Sequence, residues 1–446
     1  MKTERVGGGL GDSLGLSLSF DYEDMLNQLI LKEANIFEVC VEDRAILKGL
    51  AQKVEEIAHR PVEEEKKKLW YLHNDLKPCR PIVFCDPENG WYEIITHDQI
   101  KCKATLAKLW EFKLRKEIFW GEQMGDDKVV SPCFCVQYVF HETDRGAPKK
   151  LVGDGGDGSF TWEPPIKDYA HVSELEFAQI IVDYEKTNKL KNLAEEIMGD
   201  HLEIKLEGCW WWSVGMTAEL IFLIGLEKLY IDMYDNPDGI HTLMKFLRDE
   251  KLSKFDFLEK NNLFTLNNEN IYNASGGFSF TNELPPKDFD PFHIKTKDLW
   301  GFAESQETVG VSPGMFNEFV FQYQIPLLKH FGMNSYGCCE PVNTRWDFIK
   351  TIPNLRRISV SAWADEAKMA DYLGKDYIYS RKIPSAILAM PEMDEDYART
   401  NLKATLQYAR ECHIELIMKD NHTIGHNPQN VIKWCTMAKQ EAYSSI

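Results

Sequence analysis

The chain has 446 residues, of which 44% are hydrophobic, 12% aromatic and 27% charged; this excludes a disordered chain, because ample apolar surface is present to bury. Its formal net charge of −19 argues against nucleic acid as a main partner, since phosphates are repelled by most of an acidic surface. The length suits two or three average domains or one large α/β barrel with additions.

The sequence has no sign of a secreted or membrane-spanning protein. Its N-terminus lacks the apolar stretch of a signal peptide, and its longest apolar run, residues 220–226, is too short to cross a bilayer. The 11 cysteines are odd in number and scattered along the chain, which is typical of thiols or metal ligands rather than disulfides. We therefore expect a cytoplasmic protein with no membrane partner.

Residues 22–72 have the spacing of amphipathic helices. Apolar side chains recur three and four positions apart in two series: Met25, Leu26, Leu29 and Ile30, then Ile46, Leu47, Leu50, Val54 and Ile57. Pro61 interrupts the pattern, and the EEEKKK run after it has the order of charges that a helix dipole favours. We therefore predict a helical extension over residues 1–75, which either covers the rest of the chain or forms a homodimer interface.

From residue 76 onward, short apolar runs alternate with amphipathic stretches. Eight runs are predicted strands: residues 81–85, 133–140, 202–209, 299–303, 333–339, 357–362, 376–380 and 414–418. Their alternation with helical patterns predicts an α/β fold, a (β/α)8 TIM barrel over residues 76–446 with an insertion near 139–165. The alternative is an open doubly wound sheet, although no Rossmann or P-loop motif follows any strand. Asp126 and Asp127 are interpreted only as a helix terminus.

The residues just after these strands are the first candidates for chemistry, because a parallel barrel has its active site at the carboxyl ends of its strands. They are rich in acids, cations, cysteine and histidine, and include Asp86, Glu88, Glu304, Arg381, Lys382, Lys419, Asp420 and His422. The adjacent cations Arg381 and Lys382 would offer charge to an anionic or phenolate group; the alternative is a solvated loop paired with surface acids.

The sharpest feature is the segment NSYGCCEPV, residues 334–342, in which two adjacent cysteines and a glutamate end an apolar strand. Neighbours in a regular strand point to opposite faces, so Cys338 and Cys339 cannot face the same way unless the strand ends early. Thiolate and carboxylate are zinc ligands, and a catalytic zinc takes three protein ligands. The segment therefore suggests a zinc site of Cys338, Cys339 and Glu340 with His422; the alternative is two buried thiols that pack as small hydrophobic groups.

Two further features border the same strand ends. After the eighth strand, Asp420 would orient an imidazole or act as a base; the alternative is a turn or N-cap residue. Three consecutive tryptophans, residues 210–212, cannot all face one core. Trp211 or Trp212 is therefore expected to border a cavity and stack on an aromatic ligand, and the alternative is packing between the barrel and its helices.

Several segments resemble the uroporphyrinogen decarboxylase-like superfamily, whose divergent members include zinc-dependent methyltransferases that exchange methyl groups with corrinoid proteins. The resemblance covers roughly residues 75–445, on a barrel of the expected length. It is carried by RPIVFCDPENGW, GCWWWSVGMTAELIFLIGLEKLYIDMYDNPDGIHTLM, ESQETVGVSPGMFNEFVFQYQIPLLK, SYGCCEPV, IPNLRRISVSAWAD and YIYSRKIPSA.

The chain departs from the decarboxylases of this superfamily. They resemble one another in an Arg-rich MRQAGR segment that binds propionate groups, whereas the corresponding stretch here, LKPCRPIVF, has only Arg80. A polycarboxylate porphyrinogen is also a poor match for a protein of net charge −19 without that Arg cluster.

The methyltransferases are similar to one another in an HxC motif at one strand end and a cysteine on the last strand. Here YGC, residues 336–338, lies at the HxC position, and DNH, residues 420–422, lies near the position of the last cysteine. Of the ligands that the resemblance implies, Cys338 alone matches residue by residue. The expected replacements for the others are Cys339, Glu340 and His422.

The resemblance implies a methyltransferase that moves a methyl group from a methoxylated aromatic or methylamine-type substrate to a corrinoid protein, as the substrate-activating component of a demethylase system in an anaerobe. Zinc would act as a Lewis acid on the ether or amine heteroatom. The alternatives are a metal-independent decarboxylase, with Asp86 or Asp420 as the acid, and a non-catalytic binding subunit. The expected catalytic residues are Asp420, Tyr336 and Lys382, and the expected substrate-binding residues are Arg80, Trp211, Trp212, Glu304 and Arg381.

Overall fold

The computed structural model of the chain describes residues 22–148, 150–152, 161–208 and 210–445. Residues 1–21 of the predicted N-terminal extension and residues 149 and 153–160 of the predicted insertion lie outside these ranges, as do Cys209 and Ile446. Among the described helices, none combines the length and the apolar character that crossing a membrane requires.

Helices precede, separate and follow the strands of the described chain. In chain order the helices are α1 (Tyr22–Lys32), α2 (Val41–Ala58), α3 (Pro61–Asn74), α4 (Trp91–Ile94), α5 (Thr105–Phe119), α6 (Tyr184–Met198), α7 (Thr217–Ile224), α8 (Leu226–Asp235), α9 (Pro237–Lys260), α10 (Pro313–Phe316), α11 (Gln322–Leu328), α12 (Trp346–Ile349), α13 (Glu366–Leu373), α14 (Glu395–Tyr408) and α15 (Gln429–Ser444). The strands are β1 (Ile82–Cys85), β2 (Cys133–Gln137), β3 (Phe140–Glu142), β4 (Lys150–Val152), β5 (Thr161–Glu163), β6 (Ile180–Val182), β7 (Glu203–Glu207), β8 (Trp300–Ala303), β9 (Met333–Tyr336), β10 (Leu355–Val360), β11 (Ile378–Ile383) and β12 (His413–Met418).

The N-terminal helices form where the apolar spacing predicts them. Helix α2 buries Leu47, Val54 and Ile57, which lie on one face because they are separated by whole helical turns. Helix α3 begins at Pro61, whose fixed φ and missing N–H suit the first helical position. The helical character predicted for residues 22–72 is confirmed, and side chains of α2 and α3 belong to the same apolar core as the strands.

All eight predicted strands are present, with bounds that differ by a few residues. Six of them form one parallel sheet in the order β1-β12-β11-β10-β9-β8, and the other two, β2 and β7, form a separate parallel pair. Neighbouring strands of a (β/α)8 barrel follow this order. Over the part of the chain that the structure describes, however, strand pairing joins neither β1 to β2 nor β7 to β8. The α/β class is confirmed, and the closed barrel stays a prediction.

Side chains take the place of a neighbouring strand along the free edge of β1. Asp127 accepts a hydrogen bond from Val83 N at its Oδ2 (2.9 Å) and donates its own N–H to Val83 O (2.8 Å). Asp126 Oδ2 accepts a hydrogen bond from Cys85 N at 3.0 Å. Asp126 and Asp127 do follow a helical segment, which ends at Met124, but the interpretation as a helix terminus only is wrong: they satisfy backbone groups of a buried strand edge that no neighbouring strand pairs.

A similar substitution occurs along the free edge of β8. Asn267 Oδ1 accepts a hydrogen bond from Trp300 N (2.9 Å), and Asn267 Nδ2 donates to Trp300 O (3.0 Å), so the side-chain amide imitates a paired peptide. Further along the strand, Val214 N donates to Phe302 O at 2.9 Å. At both edges of the six-stranded sheet, the strand backbone therefore forms hydrogen bonds with residues that do not belong to a strand.

The predicted insertion contains short antiparallel strands. Strand β4 pairs with β5, and β3 pairs with β6. Because β6 begins at Ile180, the paired segment extends beyond the predicted limit at residue 165.

One face of the six-stranded sheet is covered by a segment that we call the inner loop, residues 263–281. Trp300 Nε1 on β8 donates to Ser279 O (3.1 Å), and Arg357 Nη2 on β10 donates to Phe278 O (3.0 Å). The ring of Phe84 on β1 lies edge-on to that of Phe278, with 5.0 Å between centroids. The inner loop thus packs against strands from both edges and the middle of the sheet.

The same face of the sheet carries buried polar side chains. Ser359, Ser380 and Glu415 occupy matching register positions on β10, β11 and β12, and Arg357 and Lys382 lie two residues from them on the same face. All five are buried, and Arg357 Nε lies 3.0 Å from Glu415 Oε1. Buried charges are costly unless they are paired, so a charged interior of this kind is a candidate region for function.

Candidate active site

Five side chains from three strand ends meet at the carboxyl edge of the sheet, and we call them the strand-end cluster. They are Glu88 after β1, Cys338 and Cys339 after β9, and Lys419 and Asp420 after β12. Lys419 Nζ lies 3.3 Å from Glu88 Oε1 and 3.2 Å from Asp420 Oδ1. Cys339 Sγ lies 3.6 Å from Cys338 Sγ and 3.9 Å from Asp420 Oδ2. A cation, two carboxylates and two thiols therefore share one small region.

Turns at two strand ends create this proximity. Gly337 (φ 91°) follows β9 and Asp420 (φ 60°) follows β12, and both have left-handed backbone conformations. Glu340 then holds the first turn, since its carboxylate accepts hydrogen bonds from Cys338 N (2.9 Å) and from Ser305 N (2.8 Å). The alternation of a regular strand ends before the two cysteines, which explains why adjacent thiols lie together.

The two lysines of the site differ in charge state. Burial by itself lowers the pKa of Lys419, but Tyr272 and the two carboxylates of the strand-end cluster outweigh it and raise the pKa well above its ordinary value. Burial lowers the pKa of Lys382 to about 7, and its Nζ donates to Ser380 Oγ at 2.5 Å. Lys419 is therefore a permanent ammonium group, and Lys382 can exchange a proton near neutral pH.

Buried carboxyl groups lie next to the strand-end cluster. Burial, followed by the charges of Glu307 and Glu340, raises the pKa of Glu304 well above its ordinary value, and burial also raises the pKa of Glu340. Arg345 donates to Ser305 Oγ at 2.8 Å, and Ser305 in turn donates its N–H to Glu340. Through Glu340, this network holds the turn that carries the two cysteines.

An open cleft of about 480 Å³ borders the strand-end cluster, and we call it the rim cleft. Its lining residues are Gln306, Glu307, Val309, Cys339, Glu340, Pro341 and Trp363. Trp363 is 80% exposed and Val309 is 54% exposed, so part of the wall is apolar. Cys339 belongs to both the rim cleft and the strand-end cluster. A small molecule in the cleft would therefore lie beside a thiol of the cluster.

The structure brings several of the predicted site residues together. Cys338, Cys339 and Asp420 belong to the strand-end cluster, and Glu340 contacts it through Cys338 N.

Arg80 and His422 do not join these residues. Arg80 lies just before β1, at the amino edge of the sheet, where its guanidinium binds the Asp127 carboxylate through two hydrogen bonds of 2.8 Å and 2.7 Å. The side chain of His422 follows β12 but is exposed. The role predicted for Arg80 as a substrate-binding cation therefore has no support in its position.

Arg381 and Tyr336 face away from the strand-end cluster. Arg381 donates to Glu366 Oε1 on helix α13 at 2.7 Å, whereas its neighbour Lys382 faces the sheet interior, as the alternation of a strand requires. The Tyr336 hydroxyl is buried and donates to Gln324 Oε1 on helix α11 at 2.9 Å. Both contacts hold helices against the sheet.

The tryptophans that follow β7 lie in different environments. Trp211 packs against Phe255, with ring centroids 5.1 Å apart, and this matches the alternative of core packing. Trp212 is 49% exposed and lies edge-on to Phe302 at 5.2 Å. Phe302 contacts Cys338 in a small buried group, so Trp212 is the tryptophan that borders the site.

The predicted zinc ligands do not form a metal centre in this arrangement. The carboxylate of Glu340 is engaged by backbone N–H groups, and His422 is exposed away from it. Within the described ranges, no group of three or more His, Cys, Asp or Glu side chains is arranged to hold a metal ion. These donors therefore do not fit a zinc site as they stand, and zinc stays an untested prediction.

Three residues near the site have no specific role among the predictions. Lys419 and Glu88 are among the candidates that follow predicted strands, but the sequence does not show that they pair with each other. Tyr272 belongs to the inner loop, where no periodic pattern predicts contact with the sheet, yet its ring lies 5.9 Å from that of Phe84 on β1.

Comparisons with known proteins give little further information. No family model matches the chain, and no curated protein matches it by sequence. A search of solved structures finds a methyltransferase from Methanosarcina mazei, which is 10% identical and has a TM-score of 0.46 over 85% of this chain and 99% of that chain. At this identity and TM-score the likeness assigns neither an activity nor a ligand to the chain.

Proposed function

We propose that the protein is a methyltransferase that moves a methyl group from a small methylated substrate to a corrinoid protein, with the strand-end cluster as its active site. The observation that carries the proposal is the meeting of an ammonium group, carboxylates and an accessible thiol beside a cleft of about 480 Å³, a volume suited to a small molecule. The resemblance of the segments that contain these residues to corrinoid-dependent methyltransferases supports methyl transfer as the reaction.

In this proposal the six-stranded sheet and the β2–β7 pair together form a (β/α)8 barrel. Asp126 and Asp127 would lie in one seam, beside β1, and Asn267 in the other, beside β8. The active site then lies at the carboxyl ends of the strands, as in other barrels of this type.

The chain itself would bind the methyl donor and stabilise its leaving group. The apolar side chains of Trp363 and Val309 would hold an aromatic or alkyl part of the donor in the rim cleft. Lys419, a permanent ammonium group, would stabilise charge that develops on the oxygen or nitrogen that loses the methyl group. Lys382 Nζ would supply a proton near neutral pH, since burial lowers its pKa to about 7. A reduced corrinoid would supply the nucleophile that accepts the methyl group.

No step of this mechanism uses zinc, because backbone N–H groups engage the Glu340 carboxylate and the described residues contain no group of donors arranged to hold a metal ion. Metal analysis of the purified protein, with Cys338→Ala and Cys339→Ala, decides the zinc prediction separately from the methyl-transfer assay.

Methyl transfer can be measured with reduced cobalamin as the acceptor under anaerobic conditions. The donors are a panel of methoxylated aromatic compounds and methylamines, and the readout is the absorbance change on formation of methylcobalamin. We expect turnover with at least one donor, and a loss of about 100-fold or more in Lys419→Met and Asp420→Asn. Lys375→Met is the matched control, because its side chain is 73% exposed and lies away from the strand ends.

Two further outcomes distinguish the alternative, a metal-independent decarboxylase, from a methyltransferase. Release of CO2 from a carboxylated substrate without a methyl acceptor, together with no methylcobalamin from any donor, would replace the methyltransferase proposal. Equal activity in Lys419→Met, Asp420→Asn and the wild type would remove the strand-end cluster from the proposal even if methyl transfer occurs.

A further inference from the structure

We propose that Cys338 and Cys339 are a redox-active vicinal dithiol, which closes to a disulfide by exchange with a small-molecule disulfide and reopens on reduction. Both cysteines are free thiols, and their Sγ atoms are 3.6 Å apart. A disulfide bond is about 2.05 Å long, so closure requires the sulfur atoms to approach by about 1.5 Å, a local adjustment within the turn. This modification site goes beyond methyl transfer and does not depend on it.

The turn after β9 holds the pair in place. The Cys338 backbone is fixed on both sides, because Ser359 Oγ donates to Cys338 O (2.7 Å) and Glu340 accepts from Cys338 N (2.9 Å). Gly337, with φ of 91°, allows the turn that places both thiols on one side of the chain. The backbone that carries both thiols is therefore held in place by hydrogen bonds.

The two thiols differ in access to solvent. Cys339 is exposed and lines the rim cleft, whereas Cys338 is 5% exposed and packs against Phe302 and Ala274. An incoming disulfide therefore reaches Cys339, and Cys338 is available only as the second, resolving thiol.

The reaction balances with a low-molecular-weight disulfide, RSSR, as the oxidant. The Cys339 thiolate attacks one sulfur of RSSR, which breaks its S–S bond, forms a mixed disulfide and releases the first RSH after proton uptake. Cys338 then loses its proton and attacks the Cys339 sulfur of the mixed disulfide, which releases the second RSH. The two protein thiols are oxidised by two electrons, and RSSR is reduced to two RSH.

Three other described cysteines lack this combination of access and proximity. Cys85 and Cys435 lie close together, but both are fully buried. Cys40 is exposed and has no cysteine next to it in the sequence. Among these five thiols, oxidation at residues 338 and 339 is therefore expected.

The disulfide of adjacent residues is expected to be easily reduced. Their Cα atoms are about 3.8 Å apart, below the usual range of about 4.4–6.8 Å, and strained disulfides are more reducible. Closure would also remove the S–H that Cys339 donates to Asp420 Oδ2, which lies 3.9 Å from the sulfur atom. Oxidation thus alters the strand-end cluster reversibly.

Peptide mapping of the oxidised full chain tests the proposal. The purified protein is incubated anaerobically with oxidised glutathione, the remaining thiols are blocked with N-ethylmaleimide, and the protein is digested with trypsin. Cleavage after Lys329 and Arg345 gives a peptide, residues 330–345, that contains both cysteines and no others. Mass spectrometry distinguishes a peptide with two maleimides, one with a maleimide and a glutathione, and one that has lost two hydrogens through ring closure.

We expect most of the wild-type peptide in the ring form, and its return to the two-maleimide form after treatment with dithiothreitol. Cys338→Ser should accumulate the glutathione adduct at Cys339, since no resolving thiol remains, and Cys339→Ser should keep Cys338 unmodified. Cys40→Ser is the matched control and should behave as the wild type. The proposal would be overturned if the wild-type peptide kept a stable glutathione adduct without ring closure, or if it remained in the two-maleimide form. Both outcomes are measured on the unmutated protein, so they do not depend on whether a variant folds.

Discussion

Single residues near the strand-end cluster combine deep burial with a shifted pKa. Lys382 on β11 and Glu304 just after β8 are both buried, and burial is the largest cause of the shift in each pKa. Burial disfavours the charged form of either group, so it lowers the pKa of the lysine and raises that of the glutamate. The folded state therefore binds fewer protons at Lys382 and more protons at Glu304 than the unfolded chain does.

Lys382→Met should change how the free energy of unfolding depends on pH. The folded pKa of Lys382 is about 7 and the ordinary value is 10.5, so between these values the unfolded chain holds the proton and the folded chain releases it. The wild type should therefore gain about 2 kcal/mol relative to the variant between about pH 7 and pH 9, and nothing further below pH 7. Urea denaturation at a series of pH values measures this difference. Lys375→Met, at an exposed site, should show no such gain.

Glu304→Gln should show the opposite slope. The pKa of the buried carboxyl lies well above the ordinary value of 4.5, so above that value the folded chain keeps a proton that the unfolded chain releases. The wild type should therefore lose stability relative to the variant as the pH rises from about 5, by up to about 1.4 kcal/mol per pH unit. The same urea series tests this. A parallel pH dependence of Glu304→Gln and the exposed control Glu185→Gln would contradict it.

Among the secondary-structure elements, β1 depends on side chains for its free edge. The carboxylate of Asp127 is fully buried and binds Arg80, Lys439 and the N–H of Val83. Asp127 therefore combines a buried ion pair with a hydrogen bond to the backbone of β1, at an edge where no neighbouring strand supplies one.

Asp127→Ala should destabilise the protein by about 3–5 kcal/mol, because it leaves two cations and a strand N–H without their acceptor. Urea denaturation near neutral pH measures the change. Asp347→Ala is the matched control, since its side chain is 86% exposed and its ion pair with Lys350 lies at the surface; it should cost less than about 0.5 kcal/mol. A similar small effect for both variants would show that the edge of β1 does not need Asp127.

The elements themselves could be predicted from the sequence to a large extent. Apolar runs predict the six strands of the main sheet and the two strands of the β2–β7 pair, because buried parallel strands are nearly continuous runs of hydrophobic residues. The seventh predicted strand ends at Ser380, and a solvated loop is the alternative for Arg381 and Lys382. It continues to Ile383, because Arg381 binds helix α13 and Lys382 faces the polar interior.

The site was less predictable, for reasons of local geometry. Strand alternation places Cys338 and Cys339 on opposite faces, and the left-handed turn at Gly337 overrides it. The inner loop has no periodic pattern, so its contact with the sheet, and the position of Tyr272, follow from tertiary packing that a sequence pattern does not encode.

At the scale of the whole molecule, the N-terminal helices and the strands share one apolar core. Trp70 on helix α3 is fully buried, and its Nε1 donates to Asp127 O at 2.8 Å. Asn74 Nδ2 donates to Phe278 O (2.8 Å) and Phe280 O (2.7 Å) in the inner loop. Helix α3 therefore contacts both the edge of β1 and the loop that covers the sheet.

Trp70→Ala tests whether helix α3 and the sheet unfold as one cooperative unit. Truncation of this fully buried tryptophan to alanine should lower the free energy of unfolding by about 3–5 kcal/mol. If helix and sheet unfold as a single unit, the urea midpoint of the sheet falls as much as that of the helix. Hydrogen exchange with mass spectrometry across the urea series follows peptides of α3 and of β10–β12 separately. Leu72→Ala, two residues away on the same helix and 44% exposed at the native leucine, is the matched control and should move neither midpoint by much. If Trp70→Ala shifts the α3 peptides and leaves the strand peptides at the wild-type midpoint, then the helical extension is an independently unfolding unit, and the shared core does not couple it to the six-stranded sheet.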